Sequence, residues 1–119
     1  MKKIEAARLY STIMGARLTD CTAEERIQVM GVVRQLKKHA QDYQQALDDV
    51  LKKNEDLSKD AEEYNRVVYA SMSPVAEEEV TVTASLDSDT VAHLSAGIDN
   101  ITVGDLMWIE EQLTKKEGE

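Results

Sequence analysis

Cys21, His39, His93 and the 23 carboxylates are the side chains through which this 119-residue chain could act on a metal or a substrate. A carboxylate-bridged di-iron bundle places Glu three residues before His on an inward helix face. Leu36 and Thr90 occupy those positions here, so neither histidine fits. Zinc needs a Cys/His cluster, and a single cysteine with two distant histidines supplies none. Magnesium-dependent helical pyrophosphohydrolases need paired E-x-x-E and E-x-x-D signatures, and neither spacing occurs. A glycine-rich phosphate loop and a nucleophile elbow are likewise missing. Cys21 precedes a helix start, where a thiolate would be stabilised, but no histidine is near it in sequence. His39 and His93 read as surface residues. Met107 and Trp108 read as packing residues, with an interface role as the alternative. No catalytic residue, metal ligand or cofactor is therefore expected. An enzyme would require carboxylates from separate helices to converge.

Composition points the same way. Aromatic residues make up 4% of the chain and Phe is absent, so the core must be built from Val, Leu, Ile, Met and Ala. One cysteine excludes an internal disulfide and fits a reducing compartment. No apolar run reaches membrane-spanning length, and "MKKIEAARLY" lacks the apolar block of a signal peptide. A soluble cytoplasmic protein with no membrane contact is expected. The net charge of −9 argues against direct nucleic-acid binding. It is also uneven. Residues 1–53 carry 10 Lys/Arg against 7 Asp/Glu, and residues 54–119 carry 4 against 16.

The elements that would position these groups are mainly helical. Ala6, Leu9, Tyr10, Ile13 and Met14 share one face of a helix predicted over 2–18. After the turn "TDCT", Thr22 and Glu25 form a T-x-x-E capping box that opens a second helix. Its end is expected at Met72, because Pro74 disfavours a helical Ser73. Beyond Pro74, Val80, Val82, Ala84 and Leu86 alternate with Thr81, Thr83 and Ser85 as in a half-buried strand. Asp87, Ser88 or Asp89 can cap a short helix carrying Val91, Leu94 and Ile98, with Gly97 near its end. "NITV" suggests a second short strand. Thr102 and Asp105 cap a last helix with Leu106, Ile109 and Leu113 inward, and the tail "TKKEGE" should fray.

The predicted fold class is thus mainly α with a small β part. The N-terminal helix and the long heptad-patterned helix form an antiparallel helical pair over residues 1–74. A strand-helix-helix unit over 75–119 completes one structural domain.

The longest pattern is an apolar seam through Val29, Val33, Leu36, Ala40, Tyr43, Leu47, Val50, Asn54, Leu57, Ala61, Tyr64 and Val68. Steps of four and three persist through "KKNEDLSKD", which has no Gly or Pro, so one continuous helix of about 50 residues, roughly 75 Å, is expected. The seam nearly mirrors itself about Asn54: Tyr43 with Tyr64, Val50 with Leu57, and Lys52 and Lys53 with Asp56 and Glu55. Two antiparallel copies crossing at Asn54 would set opposite charges side by side and make the same patch meet itself, as a two-fold dimer requires. The seam from Val33 to Val68 is therefore the candidate self-association site. The alternatives are a fold-back at residues 53–56 that sets Tyr43 against Tyr64 within one chain, or a packing unrelated to the mirror.

The segments "KIEAARLYSTIM", "VVRQLKKHAQDYQQALDDVLKK", "AEEYN", the Val-rich strand and "ITVGDLMWIEEQL" follow one another in an order that resembles small uncharacterised bacteriophage and prophage helical proteins. The resemblance spans most of the chain and implies an accessory or assembly protein of an integrated phage. It carries over no catalytic residue. The expected function is non-enzymatic, through self-association and binding of an unknown protein partner. The alternatives are an acidic mimic that occupies a nucleic-acid-binding protein, or a small enzyme with an unrecognised carboxylate site.

Overall fold

The computed structural model describes residues 1–57 and 59–114. It is mainly helical: α1 (Lys3–Met14), α2 (Ala23–Lys53), a 3₁₀ turn (Glu55–Leu57), α3 (Ala61–Ala76), α4 (Ser88–Ala96) and α5 (Val103–Leu113). The Thr22–Glu25 capping box starts α2: the Thr22 hydroxyl accepts from the Glu25 N–H at 3.2 Å, and the Thr22 N–H donates to the Glu25 carboxylate at 2.8 Å. Ala6, Leu9 and Ile13 of α1 bury one stripe against Val29, Val32 and Leu36 of α2. Each fully buried Leu in this stripe contributes about 1.5–3 kcal/mol of transfer free energy. Among the described residues, no helix is long and apolar enough to cross a membrane.

The continuous helix expected through Asn54 is two helices. Lys52 and Lys53 place positive charge at the C-terminus of α2, and Glu62 and Glu63 place negative charge in the first turn of α3, each favoured by the helix dipole. Between them, Asn54 caps α2 by donating its side-chain amide to the Val50 carbonyl at 2.8 Å. The Asp60 side chain then accepts from the Glu63 N–H at 3.1 Å and opens α3. Glu55 and Asp56, which mirror Lys53 and Lys52 about Asn54, open the 3₁₀ turn, so the charge inversion that reads as matching between two copies also suits a helix end followed by a new start. In a continuous helix Tyr43 and Tyr69 would stand about 39 Å apart; here they line the same depression with Met72. The whole molecule is 50 Å long, too short for the expected rod. Helix α3 also runs past Met72 to Ala76 with Pro74 inside it. So close to the C-terminus, the missing N–H removes a single bond of the final turn.

The predicted strand is a second correction. Residues 80–86 alternate between partly covered and exposed side chains, ending in buried Leu86. Among the described residues, the backbone nonetheless forms only isolated bridges, Lys2 to Glu79 and Leu86 to Thr114. Side chains of α2 take the place of a partner strand. Gln35 accepts from the N–H groups of Thr83 at 2.7 Å and Ala84 at 3.2 Å, and Gln28 accepts from the Asp87 N–H at 3.0 Å. His39 Nε2 lies 3.3 Å from the Thr81 carbonyl oxygen. Residues 28, 35 and 39 share one shoulder of α2, and the extended segment is strapped along it. "NITV" is a turn into α5, with Asn100 at φ 59°, a conformation that Asn tolerates better than most residues.

Helix α4 ends at Gly97, where the Arg17 N–H donates to the Gly97 carbonyl at 2.9 Å. A Cβ there would lie 1.7 Å from the Arg17 carbonyl oxygen, so only glycine permits this approach. The Thr102–Asp105 capping box opens α5 as expected. Ile109 and Leu113 then join Leu86, Val91 and Leu94 in the same core as α1 and α2. At the other end, Lys2 pairs with Glu77 at 2.6 Å and Lys3 with Glu78 at 3.0 Å, joining the start of α1 to the segment that follows α3. The expected fraying of the tail falls, apart from Thr114, on 115–119, outside the described residues.

Candidate protein-binding furrow

Two arrangements of side chains stand out, one polar and one largely apolar. The polar one centres on Glu25, which the sequence assigns only to helix capping. Its carboxylate also meets His93 Nδ1 at 2.8 Å and lies 3.4 Å from the Thr90 hydroxyl oxygen. The Thr22 N–H first, and His93 second, hold the Glu25 carboxyl below the usual carboxylate range. Thr90 donates to Gln28 at 3.0 Å, and Gln28 donates to Asp87 at 2.8 Å, which completes the attachment of α4 to α2.

No groove among those described is lined by Glu25 or His93. Among the described residues, no group of three His, Cys, Asp or Glu could hold a metal ion. Cys21 is buried, and that burial, reinforced by Glu25, pushes its thiol pKa up. The thiolate that its place before α2 suggests is therefore disfavoured. The cluster is a clasp between α4 and α2.

The seam residues divide along the chain. Leu36 and Ala40 are buried in the molecule's own core. Val33, Tyr43, Leu47, Val50, Asn54, Leu57, Tyr64 and Val68 are half-buried, and Ala61 is exposed. Val29, Val33, Ala40 and Tyr43 also border the second arrangement, whose other lining residues the seam pattern does not pick out.

That arrangement is a furrow beside α1. Its first section, of about 350 Å³, is lined by Tyr10, Ile13, Met14, Ala16 and Leu18 on one side and Val29, Met30, Val33, Arg34 and Lys37 on the other. Tyr10 also borders a wider depression of about 1000 Å³, where Ala7, Arg8 and Ser11 meet Ala40, Gln41 and Gln44, with Asp105 and Trp108 of α5 at its margin. Ile4, Arg8 and Tyr43 continue into a third section that reaches Tyr69 and Met72.

The burial pattern explains the opening. Leu9, Val32 and Leu36 occupy the centre of the α1–α2 contact, so the wide apolar faces leave Met14 58% and Met30 49% exposed on its flank. Arg8, Arg34 and Lys37 rim the furrow and form no ion pair among the described residues. The first section has no acidic lining residue, although the chain as a whole carries −9.

The signal for the furrow was present as Met30 beside the seam and Met14 at the edge of the α1 face. Which of them the core would leave uncovered depends on packing between helices. No protein-family model, curated protein or solved structure matches this chain.

Proposed function

We propose that the protein is a non-enzymatic, helix-based binding module of the accessory or assembly kind implied by its phage-type resemblance, and that it binds a protein partner through the α1–α2 furrow. The observation that carries this is the pairing of exposed Met14 and Met30 with the cations Arg34 and Lys37 in one groove. Methionine and arginine are enriched at the cores of protein interfaces, and methionine adapts its shape to a partner. In this reading α1 and α2 act as an antiparallel pair. Ile13 and Met14 share the first section with Val29 and Met30, while Ile4 and Ala7 share the next with Ala40 and Gln44. A cytoplasmic setting fits the single free thiol of Cys21.

Displayed peptide libraries provide the test, with selection on the native chain and counter-screening on Met30→Glu and Arg34→Glu. Both positions are exposed, so these substitutions leave the fold in place. Selected peptides should lose about tenfold or more in affinity for each variant, a change of about 1.4 kcal/mol. Ligands that bind both variants as tightly as the native chain would place the binding surface elsewhere and overturn the proposal.

A further inference from the structure

Helix α5 carries a face that matches the furrow. Ile109 and Leu113 are buried and hold the helix to the core, while Val103 and Met107 on the opposite side are 74% and 66% exposed. Glu110 and Glu111 are exposed one turn further along. The outer face of α5 therefore runs from apolar to acidic. Beside the furrow, α2 runs from apolar to basic through Ile27, Met30, Arg34 and Lys37, all exposed.

The spacings agree. Met30 precedes Arg34 by four residues, and Met107 precedes Glu111 by four. With the two helices parallel, methionine lies on methionine and glutamate on arginine. With either reversed, Met107 meets a cation. An α5 face cannot fill its own furrow, because its Ile109–Leu113 side is already in the core. Helix α5 itself reaches the furrow through Asp105 and Trp108, while Glu111 lines the groove beside Val80–Ser85. Tyr10 lines the Met14–Met30 groove and also the depression that ends at Asp105 and Trp108.

We infer that the occupant of the furrow is α5 of a second copy, exchanged reciprocally in a two-fold dimer. This rests on the furrow being a protein-binding surface.

Sedimentation equilibrium of the full chain, over a range of concentrations and salt, tests it. The native chain should form a reversible dimer that weakens as salt rises. Met107→Arg and Arg34→Glu should each raise the dimer Kd about tenfold or more, with helical circular dichroism unchanged. Combining Arg34→Glu with Glu111→Arg should restore the dimer. A native chain that stays monomeric to near-millimolar concentration overturns the second-copy assignment, and the furrow is then judged by its own peptide test. A dimer lost with Arg34→Glu but indifferent to Met107→Arg overturns the role of α5 alone. A dimer indifferent to both substitutions overturns the furrow as its interface.

Discussion

At Glu25 one carboxylate serves two distant parts of the chain, accepting from the Thr22 N–H and meeting His93 Nδ1, each at 2.8 Å. Both contacts favour the ionised carboxylate and set its folded pKa below the unfolded value. Stability from this source is therefore fully present above the unfolded carboxylate pKa. It is lost as pH falls through the folded one. Acidification below the usual carboxylate range should lower the denaturant midpoint of the native chain, and part of that slope belongs to Glu25. Glu25→Gln should be less stable at neutral pH and show a flatter acid limb, as measured by chemical unfolding at a series of pH values. An acid limb as steep in the variant as in the native chain would mean that the clasp carries no such linkage. Half of this arrangement was legible in the sequence, because a T-x-x-E spacing is local. His93 stands 68 residues away, and only the packing of α4 on α2 brings it there.

The break at Asn54 and the strap at 80–86 show what local pattern leaves open at the level of elements. Along the seam, Leu36 and Ala40 are buried and most of the later positions are half-covered. Phase alone does not distinguish one helix from two that each keep the stripe inward. The distinguishing signals were the end charges Lys52 and Lys53, the Asn54 cap and the Asp60 start. They are weaker than a Gly or Pro and are easily read as charge matching. Period-two alternation located the extended segment and its inward residues but not its partner, because backbone N–H groups donate to any suitably placed oxygen. Gln35 supplies that oxygen to Thr83 and Ala84. Gln35→Ala keeps a good helix former in α2 and removes both bonds, at about 1 kcal/mol each. Hydrogen exchange at Thr83 and Ala84 should accelerate while α2 retains its protection. Unchanged exchange at those two amides would show that the strap is held by its apolar contacts instead.

Across the whole molecule, burial is concentrated at one end. The fully covered apolar side chains of α2 lie between Val29 and Ala40, and Val29, Val32 and Leu36 pack with those of α1, α4 and α5 in one cluster. From Gln41 to Ser71, no described residue is fully buried, and α3 contributes only Met72. A single helix thus belongs to two regions of unequal stability. Local opening of the α2–α3 arm should expose less apolar surface than opening the core, and so cost less. Native-state hydrogen exchange should therefore show a step within α2. Amides from about Arg34 to Ala40 should exchange only through global unfolding. Those from about Gln45 to Lys53, and through the first turns of α3, should open at a free energy lower by roughly 2 kcal/mol or more, about 30-fold in rate. Uniform protection to Lys53 would show instead that the half-buried side chains from Tyr43 to Val68 couple the arm to the core as tightly as α1 does. The step also bears on binding. Met14, Met30 and Arg34 sit on the stable side of it, so the first section of the furrow is held in shape before a partner arrives and less ordering free energy opposes binding. The Tyr43–Tyr69 section lies at the loosely held arm, where a partner would have to order what it touches.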